Sequence, residues 1–397
     1  MCGICGVLSF GENDPEEKTI RKMIGTIQHR GPDGCGIYCR GRIGLGHARL
    51  SIIDVGGGHQ PMRNADGSMW ISFNGEIYNY IELRKDLERR GHRFASQSDT
   101  EVILHMYEEK GEECVRHFNG QWAFAIWDRK KERLFVSRDR LGVRPLHYTW
   151  KNNCFVFGSE IKAILAYPGM RAEIDWIGMD QLFTVWCTLP PRTVFKGIEE
   201  LPPGHCLMVE EGGVRKWSYW ELEYGKGYEK LEEAEHAEQL LAALSEATTI
   251  RLRSDVPVGA YLSGGLDSTV VTSLIRRCSD APLKTFSISF EDAEYDEREY
   301  QQEAVRFLGT EHHEIRISGK EIAEVFPEVV WHAEKPLLRS APAPLYLLSK
   351  LVRTQGYKVV LSGEGADEIL GGYDVIRKRR SGDSGRSSRS PEADRYS

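Results

Sequence analysis

The chain has 397 residues, 41% hydrophobic and 28% charged, with a formal net charge of −7. At the usual ~100–200 residues per domain this length predicts two domains, three at most. The charge excludes a general affinity for nucleic acid or anionic lipid, and no apolar run approaches the ~20 residues of a membrane helix. The nine cysteines lack the two C-x-x-C pairs of a zinc site, so neither a metal cluster nor a disulfide framework is expected. The first residues do not read as a secretory signal, and a cytoplasmic protein is expected.

From residue 2 to 185 short β-rich runs alternate with helices. SMWISFN (68–74), QWAFAIWD (121–128), RLFVSRD (133–139) and CFVFGSE (154–160) have the aromatic and branched content of strands. NYIELRKDLERRG (79–91) sets Ile81, Leu83 and Leu87 near helical spacing and stops at glycine, and DTEVILHMYEEKG (99–111) opens on an Asp cap followed by a glutamate. Strands with covering helices predict an α+β domain. Residues 186–228, rich in Pro, Gly and charge, read as a connecting segment that carries a few strands.

Between 229 and 374 the rhythm changes. An amphipathic helix (Leu240, Leu241, Leu244, Ala247, Ile250) leads into VPVGAYL (256–262), STVVTSLIRRC (268–278), KTFSISF (284–290), EREYQQEAVRFLG (297–309) and HHEIRIS (312–318), with two helices before KVVLSG (358–363). This strand–helix alternation predicts an α/β domain with a parallel sheet, whose ligands bind beyond the carboxyl ends of the strands. Residues 375–397 are rich in Arg and Ser and almost without apolar side chains, so that segment is expected to be disordered.

Two stretches carry chemistry. Once Met1 is removed, Cys2 bears a thiol and a free α-amine on one residue, a nucleophile with its own base. Cys5, three residues on, is expected in the core. HRGPDG (29–34), HARLSIID (47–54), FNGEIYN (73–79) and SDTE (98–101) follow in order, and together with Cys2 they resemble the class II glutamine amidotransferase domain, an N-terminal nucleophile sandwich. The resemblance implies that Arg49 pairs with the α-carboxylate of glutamine, with Leu50, Ser51, Ile52 and Ile53 beside it. It implies that Glu76 and Asp99 hold the ammonium, and that Asn74 and the backbone N–H of Gly75 form an oxyanion hole. SRDRLGVRPLHY (137–148) resembles the family's loop before the closing strand, with Arg138 and Asp139 expected as a structural ion pair.

The second stretch is AYLSGGLDSTVV (260–271), a strand, a glycine loop and a helix start whose amides can cradle an anion. It lacks the GK[ST] ending of a Walker A loop, which disfavours a kinase-type site. SGGLDS is similar to the pyrophosphate loop of ATP pyrophosphatases, and LSGEGADEILGGY (361–373) repeats the strand–glycine–acid pattern. With both ends considered, the run from 2 to about 374 resembles the glutamine-hydrolysing asparagine synthetases. That resemblance implies ATP at Leu262, Ser263, Gly264, Gly265, Asp267, Ser268, Ile288, Ser362 and Gly363. It further implies Mg²⁺ at Asp267 and Asp367, and a role for Glu364 in forming β-aspartyl-AMP.

The implied reaction is ATP-dependent asparagine synthesis, with glutamine, aspartate and ATP as substrates and ammonia released at Cys2. A homodimer is compatible with this resemblance, though the sequence does not fix the oligomeric state, and no nucleic-acid or membrane partner is expected. Family members continue beyond the GEGADE loop where this chain passes into its Arg/Ser segment, so the synthetase domain is expected to be truncated. A glutaminase-only remnant and an amidotransferase for another carboxylate are the competing expectations.

Overall fold

A computed structural model describes residues 1–224, 231–292 and 296–373; the segment expected to be disordered lies outside the described residues. In chain order the strands are β1 (Gly3–Ser9), β2 (Gly34–Arg40), β3 (Ile43–Arg49), β4 (Met62–Arg63), β5 (Met69–Ile77), β6 (Gly120–Asp128), β7 (Arg133–Arg138), β8 (His147–Lys151), β9 (Cys154–Gly158), β10 (Glu199–Glu200), β11 (His205–Glu210), β12 (Gly213–Ser218), β13 (Val258–Tyr261), β14 (Lys284–Phe290), β15 (Glu311–Ile317) and β16 (Val359–Leu361). The α-helices are α1 (Glu17–Thr26), α2 (Tyr80–Arg89), α3 (Asp99–Lys110), α4 (Ile161–Leu165), α5 (Trp176–Val185), α6 (Glu233–Arg251), α7 (Leu266–Cys278), α8 (Arg298–Leu308), α9 (Gly319–Ala333), α10 (Pro342–Thr354) and α11 (Ala366–Leu370). Contacts group the chain into two units, Met1–Pro257 with Ser318–Val359, and Val258–Ile317 with the chain from Val360 onward.

In the first unit two six-stranded sheets run in the orders β10-β8-β9-β1-β3-β2 and β12-β11-β7-β6-β5-β4, with antiparallel pairing throughout their recorded ladders. Side chains alternate across a strand, so one strand serves two cores. Ile4 and Leu8 of β1 face Ala123, Ala125, Leu134 and Val136 between the sheets. Cys5 and Val7 face Ile20, Met23 and Ile24 of α1 on the outside. On the far face of the second sheet Phe124, Ile126 and Phe135 meet Val102, Ile103 and Met106 of α3. The result is a helix–sheet–sheet–helix sandwich, with Cys5 fully buried as expected. Each fully buried Phe or Leu in these layers contributes about 1.5–3 kcal/mol.

Strands β10, β11 and β12 fall within the segment read from sequence as a connection. Cys206, Leu207, Met208 and Val209 of β11 are buried beside β7, so these strands complete both sheets.

The second unit has a four-stranded sheet in the order β15-β14-β13-β16, parallel where its register is recorded. One face of β14 is polar. Thr285, Ser287 and Ser289 are buried, and Ser287 Oγ lies 2.9 Å from Gln301 Oε1 and 3.0 Å from His312 Nε2. The buried hydroxyls are thus satisfied by α8 and β15 rather than replaced by the apolar run expected of a doubly covered strand. Helix α6 forms, but its apolar positions are not buried: Leu240 and Leu241 are 40% and 43% exposed.

Candidate active sites

In the first unit the end of β3 brings Leu50 against Cys2. Leu50 N lies 3.3 Å from Cys2 Sγ, and the thiol faces Leu50 O at 3.6 Å. From the other side Arg30 Nε donates to Cys2 O at 2.9 Å while its NH1 pairs with Glu160 at 2.8 Å. The residue is clamped by its own backbone and its thiol is partly enclosed. Burial raises the thiol above its ordinary pKa, opposed by the Leu50 amide, the amino terminus and Arg144, so thiolate formation needs a base.

Strand β5 is tied to β3 by His47 Nε2, 3.0 Å from Phe73 O, and by Ser72 Oγ, which donates to Gly46 O at 3.0 Å. Burial pushes His47 down to about 3, so at neutral pH it is an uncharged strut. Next along β5, Asn74 is 1% exposed and neither its Nδ2 nor its Oδ1 has a protein partner. An unpaired buried amide costs about 1–3 kcal/mol, so both ends of this side chain are open to a partner from outside the protein. Gly75 is opposite Trp122 of β6, and a Cβ there would fall 2.7 Å from Phe73 Cε2 and 2.8 Å from Trp122 Cα. Only glycine fits that packing.

Glu76 and Asp99 are 8% and 5% exposed. Burial raises Glu76, countered by Arg144 and the amino terminus. Burial, reinforced by the Glu76 charge, raises Asp99 from 3.8 to about 7, against the Ile77 amide that donates to its Oδ2 at 3.0 Å. Two desolvated acids are electrostatically suited to a cation. The cap of α3 is Ser98, whose side chain accepts from Thr100 N, not Asp99 as the sequence suggests; Asp99 is thereby released to face β5.

Arg49 is 8% exposed, and its guanidinium donates to Asp54 O at 2.6 Å and Val55 O at 3.1 Å, both neutral acceptors. Ser51 N donates to Asp33 Oδ2 at 2.8 Å, and Ile52 O accepts from Asp255 N at 3.1 Å, which fixes the irregular 50–53 segment containing Ile53. A cavity of about 460 Å³ beside it is lined by Asp33, Arg49, Ser51, His59, Gln60 and Lys358. The structure therefore joins Cys2 to Leu50, and Glu76 to Asp99, with Arg49 and Ser51 on this cavity.

Arg138 and Asp139 find other partners than the ion pair expected of them. Arg138 pairs with Glu200 at 2.7 Å and donates to three carbonyls, while the Asp139 carboxylate accepts from the amides of Trp122, Leu141, Val143 and Arg144. Their role is to shape the 139–144 loop. The side chain missed in that loop is Arg144. Its positive charge acts on both Cys2 and Glu76, and its buried Nε has no protein partner. It stands inside the quoted RLGVRP run, but an arginine in a loop carries no sign of where its charge is felt.

In the second unit Leu262 directly follows β13 and is fully buried, its N–H donating to Phe286 O at 3.0 Å. Ser263 Oγ and Ser268 Oγ, 2.9 Å apart, close the loop across its glycines, and Gly265 N lies 3.3 Å from Ser263 Oγ. Gly264 has φ +83°, and a Cβ there would come 2.7 Å from Gln301 N. Gln301 in turn holds Ile288 O through Nε2 at 2.8 Å. A Cβ on Gly363 would come 2.9 Å from the Asp267 backbone and from Ser268 N, so the turn after β16, with Ser362, lies directly against the start of α7. Glu364 is exposed and Asp367, in the first turn of α11, partly exposed; no direct contact joins either carboxylate to Asp267 among the recorded hydrogen bonds of described residues.

Known proteins share both regions. The family model for a glutamine amidotransferase domain matches residues 1–220, and that for asparagine synthase matches 239–396. Asparagine synthetase [glutamine-hydrolyzing] 3 of Bacillus subtilis is 39% identical over 94% of this chain and 63% of its own length. Putative asparagine synthetase [glutamine-hydrolyzing] 2 of Methanocaldococcus jannaschii is 40% identical over 94% of this chain and 76% of its own. Amidase chyE of Penicillium rubens is 33% identical over 95% of this chain and 60% of its own. The chain thus spans about six-tenths of the length of the Bacillus and Penicillium relatives. No helix among the described residues is long and apolar enough to cross a membrane. With the two domain matches in the order of the two structural regions, the chain belongs to the glutamine-hydrolysing asparagine synthetase family.

Proposed function

We propose that this chain hydrolyses glutamine in its first unit and uses ATP in its second to convert aspartate to asparagine. The observation that carries the first half is Asn74, a buried amide without a protein partner on the strand that also supplies Glu76. In the reaction Cys2 Sγ attacks the glutamine carboxamide carbon, with the α-amine freed by loss of Met1 taking the thiol proton. The developing oxyanion accepts from Asn74 Nδ2 and the Gly75 amide, each donor contributing about 3 kcal/mol. The same amine returns the proton to the departing ammonia, and water hydrolyses the thioester to glutamate. Arg49 binds the substrate carboxylate, with Leu50 to Ile53 as the wall, and Glu76 and Asp99 bind its ammonium.

The glycine loop and the turn at 362–363 support the second half. Loop amides with Ser263 and Ser268 bind the phosphates of ATP, and Leu262 and Ile288 flank the nucleotide. The acidic oxygens of Asp267 and Asp367 have the hard-donor chemistry of a magnesium site, and close packing of Gly363 on the Asp267 backbone makes the two loops one neighbourhood. Such an ion supplies charge neutralisation to the phosphates. The aspartate carboxylate attacks the α-phosphorus, pyrophosphate leaves, and ammonia displaces AMP from the acyl adenylate, with Glu364 assigned to the adenylation step. A cytoplasmic homodimer completes the reading.

Pyrophosphate release with ATP and Mg²⁺, measured with and without aspartate and glutamine, tests it. Aspartate-dependent release with asparagine formed supports the assignment; glutamate production from glutamine without aspartate-dependent release overturns the synthetase half. The match to a fungal amidase favours a second reading, amidation of a different carboxylate, for which pyrophosphate release would respond to other acids but not to aspartate.

A further inference from the structure

Away from the proposed chemistry, three side chains converge where α3 passes the end of α2. His105 and Glu108 stand three apart on α3 and share a face, and His92 follows α2, its backbone N–H donating to Leu87 O at 3.1 Å. His92 Nδ1 lies 3.0 Å from His105 Nδ1 and 3.7 Å from Glu108 Oε2, and His105 Nδ1 lies 2.8 Å from that oxygen. All three ligand atoms fall within 4.8 Å of one another. A tetrahedral ion with bonds of about 2.0–2.1 Å sets its ligands about 3.3 Å apart, a length these separations bracket.

The outward atoms of His92 and Glu108 are already engaged, and that of His105 faces a carboxylate beyond hydrogen-bond distance. His92 Nε2 lies 3.0 Å from Glu109 Oε1, which can only accept, so the ring hydrogen belongs there and Nδ1 presents its lone pair inward. His105 Nε2 faces Glu101 Oε1 at 3.8 Å, and Glu101 is fixed by the amides of Ala95 and Ser96 at 2.8 and 2.7 Å. Glu108 Oε1 accepts from Asn64 Nδ2 at 2.8 Å. A histidine oriented by a carboxylate, as His92 is by Glu109, and a carboxylate oriented by an amide, as Glu108 is by Asn64, are how proteins aim metal ligands. Two imidazole nitrogens and a carboxylate oxygen this close share either a proton, carried on His105 Nδ1 toward Glu108 Oε2, or a metal ion that takes its place.

We propose that His92 Nδ1, His105 Nδ1 and Glu108 Oε2 bind a divalent transition-metal ion of the Zn²⁺ class, with water completing the shell. Two imidazoles and one carboxylate suit Zn²⁺ better than Mg²⁺. His105 is buried while Glu108 is open to solvent, which provides an entry path. The ion ties the end of α2 to the helix that begins at Asp99.

Chelator-treated full chain is titrated with Zn²⁺ by calorimetry and with Co²⁺ by its visible absorption. The expected result is one bound ion with a tetrahedral Co²⁺ spectrum free of sulfur-to-metal bands, and binding weakened at least ~10-fold in both His92→Asn and Glu108→Gln. These two positions are partly or largely exposed, so loss of binding is read in folded protein, checked by circular dichroism. The proposal is overturned if the unmodified chain binds no ion, if both variants bind as it does, or if the Co²⁺ spectrum reports thiolate ligation.

Discussion

In the β-sandwich the polar groups assigned to glutamine have lost nearly all contact with water: Asn74 is 1% exposed, Asp99 5%, Arg49 8% and Glu76 8%. Around the glycine loop the balance is reversed. Ser263 and Gly265 are exposed, Leu266 is 78% exposed, and only Leu262 and Ser268 are buried. The first region aims a few side chains from rigid strands, where each is strengthened by low dielectric and each costs stability when empty. The second relies on backbone amides and on glycines that let two turns approach. Damage to the first should therefore remove chemistry while leaving the fold, and damage to the second should act through backbone shape.

The largest expected effect is from Cys2→Ala, which should reduce glutamine hydrolysis by roughly 10⁴-fold or more while pyrophosphate release driven by added ammonia persists. Glutamate production measured beside pyrophosphate tests both statements; retention of glutaminase activity would remove Cys2 from the mechanism. Asn74→Ala should lower kcat for glutamine by about 10²–10³-fold with KM nearly unchanged, the signature of a donor used in the transition state. A matching rise in KM instead would make Asn74 a ground-state binder.

For the second region, Gly264→Ala forces a side chain into a φ of +83° and against Gln301 N. The strain costs about 1–2 kcal/mol, and the expected outcome is roughly tenfold weaker ATP-dependent pyrophosphate release with glutaminase kinetics unchanged. Equal loss in both activities would refute the separation of the two sites.

The smallest effect is on stability against pH. Asp99 has a folded pKa of about 7 against an ordinary 3.8, so between these values the folded chain holds a proton that the unfolded chain has released. Stability then falls as pH rises through about 4 to 7 and levels off above. Asp99→Asn should flatten that decline in urea unfolding measured across the window, and glutamine should stabilise the unmodified chain more at pH 8 than at pH 5.

Much of this was legible in the sequence because local patterns and global packing agree. KTFSISF became β14 at the same bounds, Leu87 of the 79–91 helix is buried, and SGGLDS runs from the end of a strand into the first turn of a helix. What was not legible is what depends on distant partners. The HCLMVE strand was masked by flanking Pro-Pro and Gly-Gly pairs, and its burial comes from β7, some seventy residues earlier. The stripe on α6 has the right spacing for a buried face, yet spacing records only what a helix could cover. Arg144 gives no local signal at all, because its charge matters through Cys2 and Glu76, far away in the chain.

The unpaired amide of Asn74 also bears on how this protein would respond to improvement. A shape-matched apolar side chain there would relieve an unsatisfied donor and acceptor at once, and the folded state would gain. Selection or engineering for heat resistance alone would consequently drift away from asparagine at position 74, trading the proposed oxyanion donor for a sturdier sandwich without it.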